Sequence, residues 1–473
     1  MNNIRFAISV ANNAIAKVEA YRKFLRKNKY NLKHVKKSGD FLKLPITDKN
    51  SYLYKHELRE LFPNKKIAPM SYASSGSSGS PTFWFRGDLQ EKRAGDLHEQ
   101  IVRDIYKIDK AQSTLVIVCF SMGVWVAGNY TLAAFREVAR RGYNISIITP
   151  GVERSDILSS FRVLAPCFKN IILAGYPPFL MDVISEVAKA KIKLPESIKV
   201  LTAGDKFSEG WRDQMMKQLK AKETDIVSIY GCADVGVLGF ETPASIFIRR
   251  IAAKNKNLNH ELFGNEEALP ALVQYEPNYI YFEEKNNELI FTVDSAIPLV
   301  RYNIHDIGYV ITQDEMIGIL KRCDVRIPKW IGDWDQPYII KKGRTDVAVT
   351  FYALNIYPEH LSIVLNDNKV SKYLTGNYLA YNKELQGHQT QELHFEFELR
   401  EGVNPSMKLK QMLTETIVKL LSSINTEYRK LSDTIGDKAI PKIQLLKNGK
   451  LAQQSKGSRT ILNIKGKKPK VIL

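Results

Sequence analysis

The sequence predicts an α/β protein: a large N-terminal domain of sheets wound by helices, followed by a smaller α+β domain at the C-terminus. Three observations carry this. Apolar runs alternate with helical stretches between residues 113 and 177. From about Asn278 the pattern turns strand-rich. After residue 346 an alternating strand and a long amphipathic helix form a unit of their own. With 473 residues, 44% of them hydrophobic, the chain can bury a large core divided between domains.

The elements follow in order. Residues 10–62 read as basic amphipathic helices leading into "LKLPITDKNSYL", where Pro45 breaks the period and Thr47 or Asp48 suits a helix cap. "SYASSGSSGSPTFWFRG" (71–87) comes next, with five serines and two glycines between Ser74 and Ser80. On composition it reads as a linker, but small residues also let backbone N–H groups converge on an anion, with hydroxyls adding donors. It lacks the spacing of a Walker loop. Then "STLVIVCFS", "YTLAAFREVARRG", "YNISIITPG", "RSDILSSFRVLAP" and "NIILAGYP" alternate strand and helix, the signature of a parallel wound sheet. "SIKVLTAGD" and "DIVSIYGCADVG" continue it. "NYIYFEE", "NELIFTVDS" and "GYVITQ" are strands between polar turns, and "ELHFEFELRE" with "SMKLKQMLTETIVKLLSSI" forms the C-terminal α+β unit.

The formal charge of +19 is concentrated at the ends: Lys17–Lys37 and Pro441–Leu473 each hold nine basic residues. A basic surface attracts polyanions, but no zinc-finger spacing or RNP-like motif accompanies it, so nucleic acid is not an expected partner. Cys119, Cys167, Cys232 and Cys323 are widely spaced and match no disulfide framework or zinc site, which favours reduced thiols. With no signal-like segment and no apolar run of spanning length, a cytoplasmic protein without a membrane anchor is expected, as monomer or dimer.

Several segments together resemble the adenylate-forming (ANL) ligase superfamily, specifically its phenylacetate-CoA ligase-like branch. "YASSGSSGSPT" resembles the phosphate-binding loop, "TAGDKFSEGWR" (202–212) the Gly-Ala-Glu-Pro segment, and "SIYGCADVG" (228–236) the Tyr-Gly-x-Ser/Thr-Glu segment. "PLVRYNIHDIG" (298–308) resembles Pro-x-x-Arg-Tyr-Arg-Thr-x-Asp, and "KKGRTDVAVTFYALNIYPEHL" (341–361) the Gly-Arg-x-Asp hinge. The resemblance covers essentially the whole chain. It implies a division at 344/345, with Asp346 as the hinge between a large AMP-binding domain (1–344) and a small mobile one (345–473).

The resemblance also implies an activity and a site. The activity is ATP-dependent formation of an acyl-adenylate from a small carboxylic acid, with release of pyrophosphate. The acyl group then passes to an acceptor: CoA first, or an amino acid as in coronafacate ligase-like enzymes, or a carrier protein. ATP would contact Ser74, Ser75, Gly76, Ser77, Ser78, Gly79 and Thr82, with Gly204, Asp205, Tyr230, Gly231 and Ala233 around the adenine. Asp306 would accept both ribose hydroxyls, and Arg301 and Arg344 would lie near the phosphates or ribose. Asp234, where the family has Glu, would hold Mg²⁺. Trp125, Tyr130, Val235 and Gly236 would line the acyl pocket. The adenylating lysine is Lys456, in "QSKGSRTIL", or Lys450, in "KNGKL"; the Lys-x-x-Arg-apolar spacing favours Lys456. This chain departs from the family at Lys206, Asn303, Ile304 and Ala353. Read by themselves, Tyr230 suits a core tyrosine, Asp234 a loop carboxylate, and each tail lysine a solvated charge.

Overall fold

The computed structural model describes residues 3–31, 34–74, 82–195, 197–204, 206–264, 269–344, 349–352, 354–384, 391–451 and 462–463. The chain forms two compact units. The first comprises Met1–Ala73, Phe83–Gly175 and Val183–Thr345, and the second Asp346–Leu473 with Ser74–Thr82 and Tyr176–Asp182.

Strands β1 (Met70–Ser74) and β2 (Thr82–Arg86) pair as a two-stranded ribbon. The wound part of the first unit supplies β3 (Thr114–Cys119), β4 (Ile145–Ile148), β5 (Asn170–Gly175), β6 (Ser197–Ala203) and β7 (Ile226–Cys232). Next come β8 (Gly236–Phe240), β9 (Ala271–Gln274), β10 (Ile280–Lys285), β11 (Glu288–Val293), β12 (Leu299–Ile311) and β13 (Tyr338–Arg344). All eleven strands from β3 on join one sheet, in the order β10, β11, β12, β13, β9, β8, β7, β6, β5, β3, β4. The run from β7 to β4 is parallel. The rest is antiparallel. Thus the strand-rich stretch extends the wound sheet.

Burial explains which runs are continuous. Every residue of β3 and β5 is buried, as expected where helices cover both faces of parallel strands. β12 differs: its register shifts against both neighbours, and Arg301 (φ 47°) and His305 (φ 64°) take left-handed backbone conformations. Such irregularities re-aim side chains, and β12 carries much of the candidate site.

The second unit contains the hairpin β14 (Val349–Phe351) and β15 (Leu354–Ile356). A four-stranded sheet follows, ordered β18 (Lys442–Leu446), β17 (Gln391–Leu399), β16 (Leu374–Glu384), β19 (Leu462–Asn463). The alternation in β17 buries Leu393, Phe395, Phe397 and Leu399 in the core. The helix Met407–Ile424, capped by the Ser406 side chain, adds Leu413, Ile417 and Leu421 at i, i+4 spacing. This α+β unit and the wound sheet are the two parts expected from the sequence. Among the described residues no helix is long and apolar enough to cross a membrane.

Candidate active site

The apolar run "DIVSI" makes β7 a buried strand, and Tyr230 stands near its end, 7% exposed. Its hydroxyl donates to Asp306 Oδ2 at 2.5 Å. Asp306, on β12, is 2% exposed and lies opposite Arg344 of β13 in the sheet register. Arg344 Nε and Lys341 Nζ stand 3.7 and 3.9 Å from Asp306 Oδ1, and the Lys341 ammonium lies 5.8 Å from the Tyr230 ring centroid. Among the described residues, Oδ1 accepts no hydrogen bond. A buried acceptor left open in this way suits a donor brought by a ligand. Burial, reinforced by Asp306, raises the Tyr230 phenol well above its ordinary pKa, so it remains a donor.

A second tyrosine–aspartate pair crosses the first. Tyr302, also on β12 and fully buried, donates to Asp234 Oδ1 at 2.8 Å. Asp234, between β7 and β8, therefore bonds back to the strand that bonds forward to Tyr230. Lys49 Nζ stands 3.5 Å from Asp234 Oδ2 and 5.1 Å from the Trp84 ring centroid. The loop backbone is held by Arg86 of β2, which is 1% exposed. Its Nη2 donates to the Ala233 carbonyl at 2.5 Å, and its Nη1 to those of Asp234 and Phe85 at 3.3 and 3.0 Å. Burial lowers the Arg86 pKa, a cost offset by these carbonyls. Burial also pushes the Cys232 thiol up to about 12, so it stays protonated and is no nucleophile.

Glycines at both ends of this loop are required by packing. A Cβ on Gly231 would lie 2.8 Å from the Gly236 carbonyl oxygen, so its near neighbour here is the adjoining strand. At Gly236, with φ +103°, a Cβ would meet the Tyr130 ring at 2.6 Å. The Val237 N–H donates to Tyr130 Oη at 3.4 Å.

With this geometry in view, similarity to solved structures becomes informative. Over 96% of this chain and 87% of the other, it superposes on a crystal structure of 2-hydroxyisobutyryl-CoA ligase in complex with 2-HIB-AMP and CoA, with a TM-score of 0.63 and 16% identity. The fold is that of the adenylate-forming ligases. A post-adenylation structure of the same ligase, with R3-HIB-AMP, matches with a TM-score of 0.52 and 15% identity, over 94% and 85% of the two chains. No protein-family model matches the sequence. No curated protein matches it either.

Within this ligase fold, the structure brings Tyr230, Asp306 and Arg344 together and places Ala233 and Asp234 beside them in one loop. Arg301 requires a correction. Its Nε and Nη2 donate to Glu283 at 2.7 and 3.1 Å, and its Nη1 donates to the carbonyls of Leu42 and Leu44. At 3% exposure it is a structural clamp from β12 to β10 and the N-terminal segment, and its fork is committed away from any phosphate. The Glu209 and Arg212 of "FSEGWR" are structural too: Arg212 donates to Glu209 at 2.9 Å and to Glu241 at 2.6 Å in a buried network.

The other expected residues within the described part are placed as follows. Ser74 ends β1, Thr82 opens β2, and Gly204 follows β6 with φ +89°. Tyr130 and Val235 line one cavity, which Trp125 does not line. Lys450 is exposed on a turn whose Gly449 N–H donates to Glu398 at 2.9 Å. Ser75, Gly76, Ser77, Ser78, Gly79, Asp205, Asp346, Ala353 and Lys456 lie outside the described residues.

Sequence reasoning missed Arg86, Lys49 and the role of Tyr302. Tyr302 had a signal, since it stands within "RYNIHD". Arg86 follows an aromatic run with no pattern of its own. Arg86→Met is expected to take this donor from the carbonyls of Phe85, Ala233 and Asp234, at roughly 1–3 kcal/mol for each left unpaired before relaxation. Amide hydrogen exchange at Val235 and Val237 should then quicken relative to the rest of the sheet. Unchanged exchange there would separate Arg86 from the loop.

Proposed function

We propose that this protein is an ATP-dependent, AMP-forming carboxylate ligase. The observation that carries this reading is the buried Asp306 carboxylate, with one oxygen held by Tyr230 and the other accepting no hydrogen bond among the described residues while facing Arg344 and Lys341. One carboxylate oxygen can accept two hydroxyl donors, and a ribose offers two adjacent hydroxyls. The Tyr230 hydroxyl fixes the carboxylate orientation, and its ring would border the adenine. Arg344 offsets charge on the nucleotide. The four cysteines are free thiols, which supports a reducing, cytoplasmic setting.

The reaction we infer is attack of the acid's carboxylate on the α-phosphate, giving an acyl-adenylate and pyrophosphate, followed by displacement of AMP by an acceptor. CoA is the first choice of acceptor, with an amino acid as the alternative. A side-chain nucleophile is not needed: the work is positioning and charge stabilisation, with Lys456 preferred over Lys450 for the carboxylate and α-phosphate. Asp234 is the residue that would hold Mg²⁺. Among the described residues no cluster of three ligating side chains exists, so the fit is to an ion held by one carboxylate together with substrate phosphates. Mg²⁺ there would neutralise charge on the leaving pyrophosphate. Lys49, 3.5 Å from Asp234, supplies part of that positive charge. The hinge at Asp346 and the division at 344/345 belong to the same proposal.

The test is pyrophosphate release from Mg·ATP with aryl, indolyl, fatty and alicyclic acids, offering CoA, each amino acid or hydroxylamine as acceptor. Release with one acid class is the expected result, and the mass of the product separates thioester from amide. ATP turnover independent of any acid would overturn the reading.

A further inference from the structure

The cavity lined by Tyr130 and Val235 runs beneath the helix Asp88–Gln100 and along β8, and a side-chain amide satisfied at only one end lines it. Gln90 lines it at 8% exposure. Gln90 Oε1 accepts from the Gly87 N–H at 3.2 Å and from the Ala296 N–H at 2.8 Å. Because both partners are donors, the amide cannot be turned round, and its Nε2 must face the other way. There it makes no hydrogen bond among the described residues. A buried NH₂ without an acceptor is unfavourable, and an acceptor brought by a ligand would relieve it.

We infer that Gln90 Nε2 is a specificity donor, and that the acid activated by this protein is an apolar carboxylic acid bearing a neutral hydrogen-bond acceptor, such as a ketone, ether or hydroxyl oxygen, at its far end. This deepens the ligase reading and rests on it. Val235 and Tyr130 carry the link: Val235 follows Asp234 in the chain, and Tyr130 packs on Gly236. The walls beyond them are apolar and aromatic, with Leu97, Val237, Ile280 and Val293. Free space of ≈ 30 Å³ admits a tip of about two water-sized groups. Negative charge on the tip is disfavoured, and a cation would offer the Nε2 donor no acceptor. Arg93 is engaged, donating to the Asp294 carbonyl at 2.8 Å with the Asp294 carboxylate at 3.9 Å. Glu276 accepts from Asn278, and the Tyr279 hydroxyl donates to Asp96 at 2.7 Å. A second carboxylate on the ligand would face both Asp294 and Glu276, whereas a neutral oxygen meets only the open amide.

The experiment compares aliphatic and aryl acids tipped with a methyl ketone against their deoxo parents, in wild type, Gln90→Leu and Gln90→Glu. It reads kcat/KM for pyrophosphate release and, separately, binding of the acids in a calorimeter. Wild type is expected to favour the ketones by about 10- to 100-fold, the discrimination one charge-free hydrogen bond in a dry site supports. Gln90→Leu should bring the ratio to about one. Gln90→Glu keeps an oxygen for the Gly87 and Ala296 amides, so it serves if Gln90→Leu fails to fold, and it should reverse the preference. A wild type indifferent to the ketone, or a preference that survives both substitutions, overturns the proposal. Discrimination in binding without pyrophosphate release would keep the Gln90 role and sink the ligase reading. Pyrophosphate release without discrimination would do the opposite, and silence in both measurements would overturn both.

Discussion

Asp306→Ala is expected to abolish measurable acid-dependent pyrophosphate release and to weaken ATP and AMP binding by about 10²- to 10⁴-fold, the worth of two hydrogen bonds to a charged acceptor. The loss has three parts. The acceptor for a ribose disappears, the Tyr230 hydroxyl is left unpaired in a buried site, and Arg344 and Lys341 lose the carboxylate between them. Asp306→Asn separates these effects. It keeps an acceptor oxygen for Tyr230 but removes the charge, so nucleotide binding should fall less than with alanine. Calorimetry with AMP, alongside a thermal melt, makes the measurement. A folded Asp306→Ala protein that binds AMP as wild type does would remove Asp306 from the site.

Lys456→Ala is expected to slow adenylation by about 10²- to 10³-fold, the usual cost of losing one well-placed donor to developing charge. Transfer from a supplied acyl-adenylate should remain near its wild-type rate, because that half-reaction forms no bond to the α-phosphate. The matched variant is Lys450→Ala. Lys450 sits on the turn after β18, pinned through Gly449 to Glu398, and is exposed. If Lys450→Ala blocks adenylation and Lys456→Ala does not, the assignment of the C-terminal lysines is reversed. If neither does, neither Lys450 nor Lys456 serves the first step.

Much of this architecture was legible beforehand. The fully buried runs of β3 and β5 and the alternation of β17 are local patterns, and hydrophobic periodicity reports directly on which faces are covered. Tyr230, Asp306 and Arg344 were legible as a set because they stand in recognisable segments, and the sheet then brings those segments side by side. Arg301 was misread for an instructive reason. Its segment pointed to the phosphates or ribose, but a left-handed residue in an irregular strand presents its side chain to Glu283 and the carbonyls of Leu42 and Leu44. No local pattern encodes that direction. Gly231 reads from the sequence as an opening for a ligand and Gly236 as pocket lining, and their close neighbours in the structure are the adjoining strand and the Tyr130 ring.

By itself the sequence determined the α/β class, the separate C-terminal unit and the segments that hold the candidate nucleotide residues, because each depends on residues close together in the chain. Only the tertiary structure decided the crossed pairs of Tyr230 with Asp306 and Tyr302 with Asp234, the Arg86 grip on the loop and the open amide of Gln90. The first of these pairs spans 76 positions and the Arg86 contacts 147 and 148. Such contacts depend on how β12 is registered against its neighbours and on which side chains burial leaves without a partner, and both are properties of the assembled sheet.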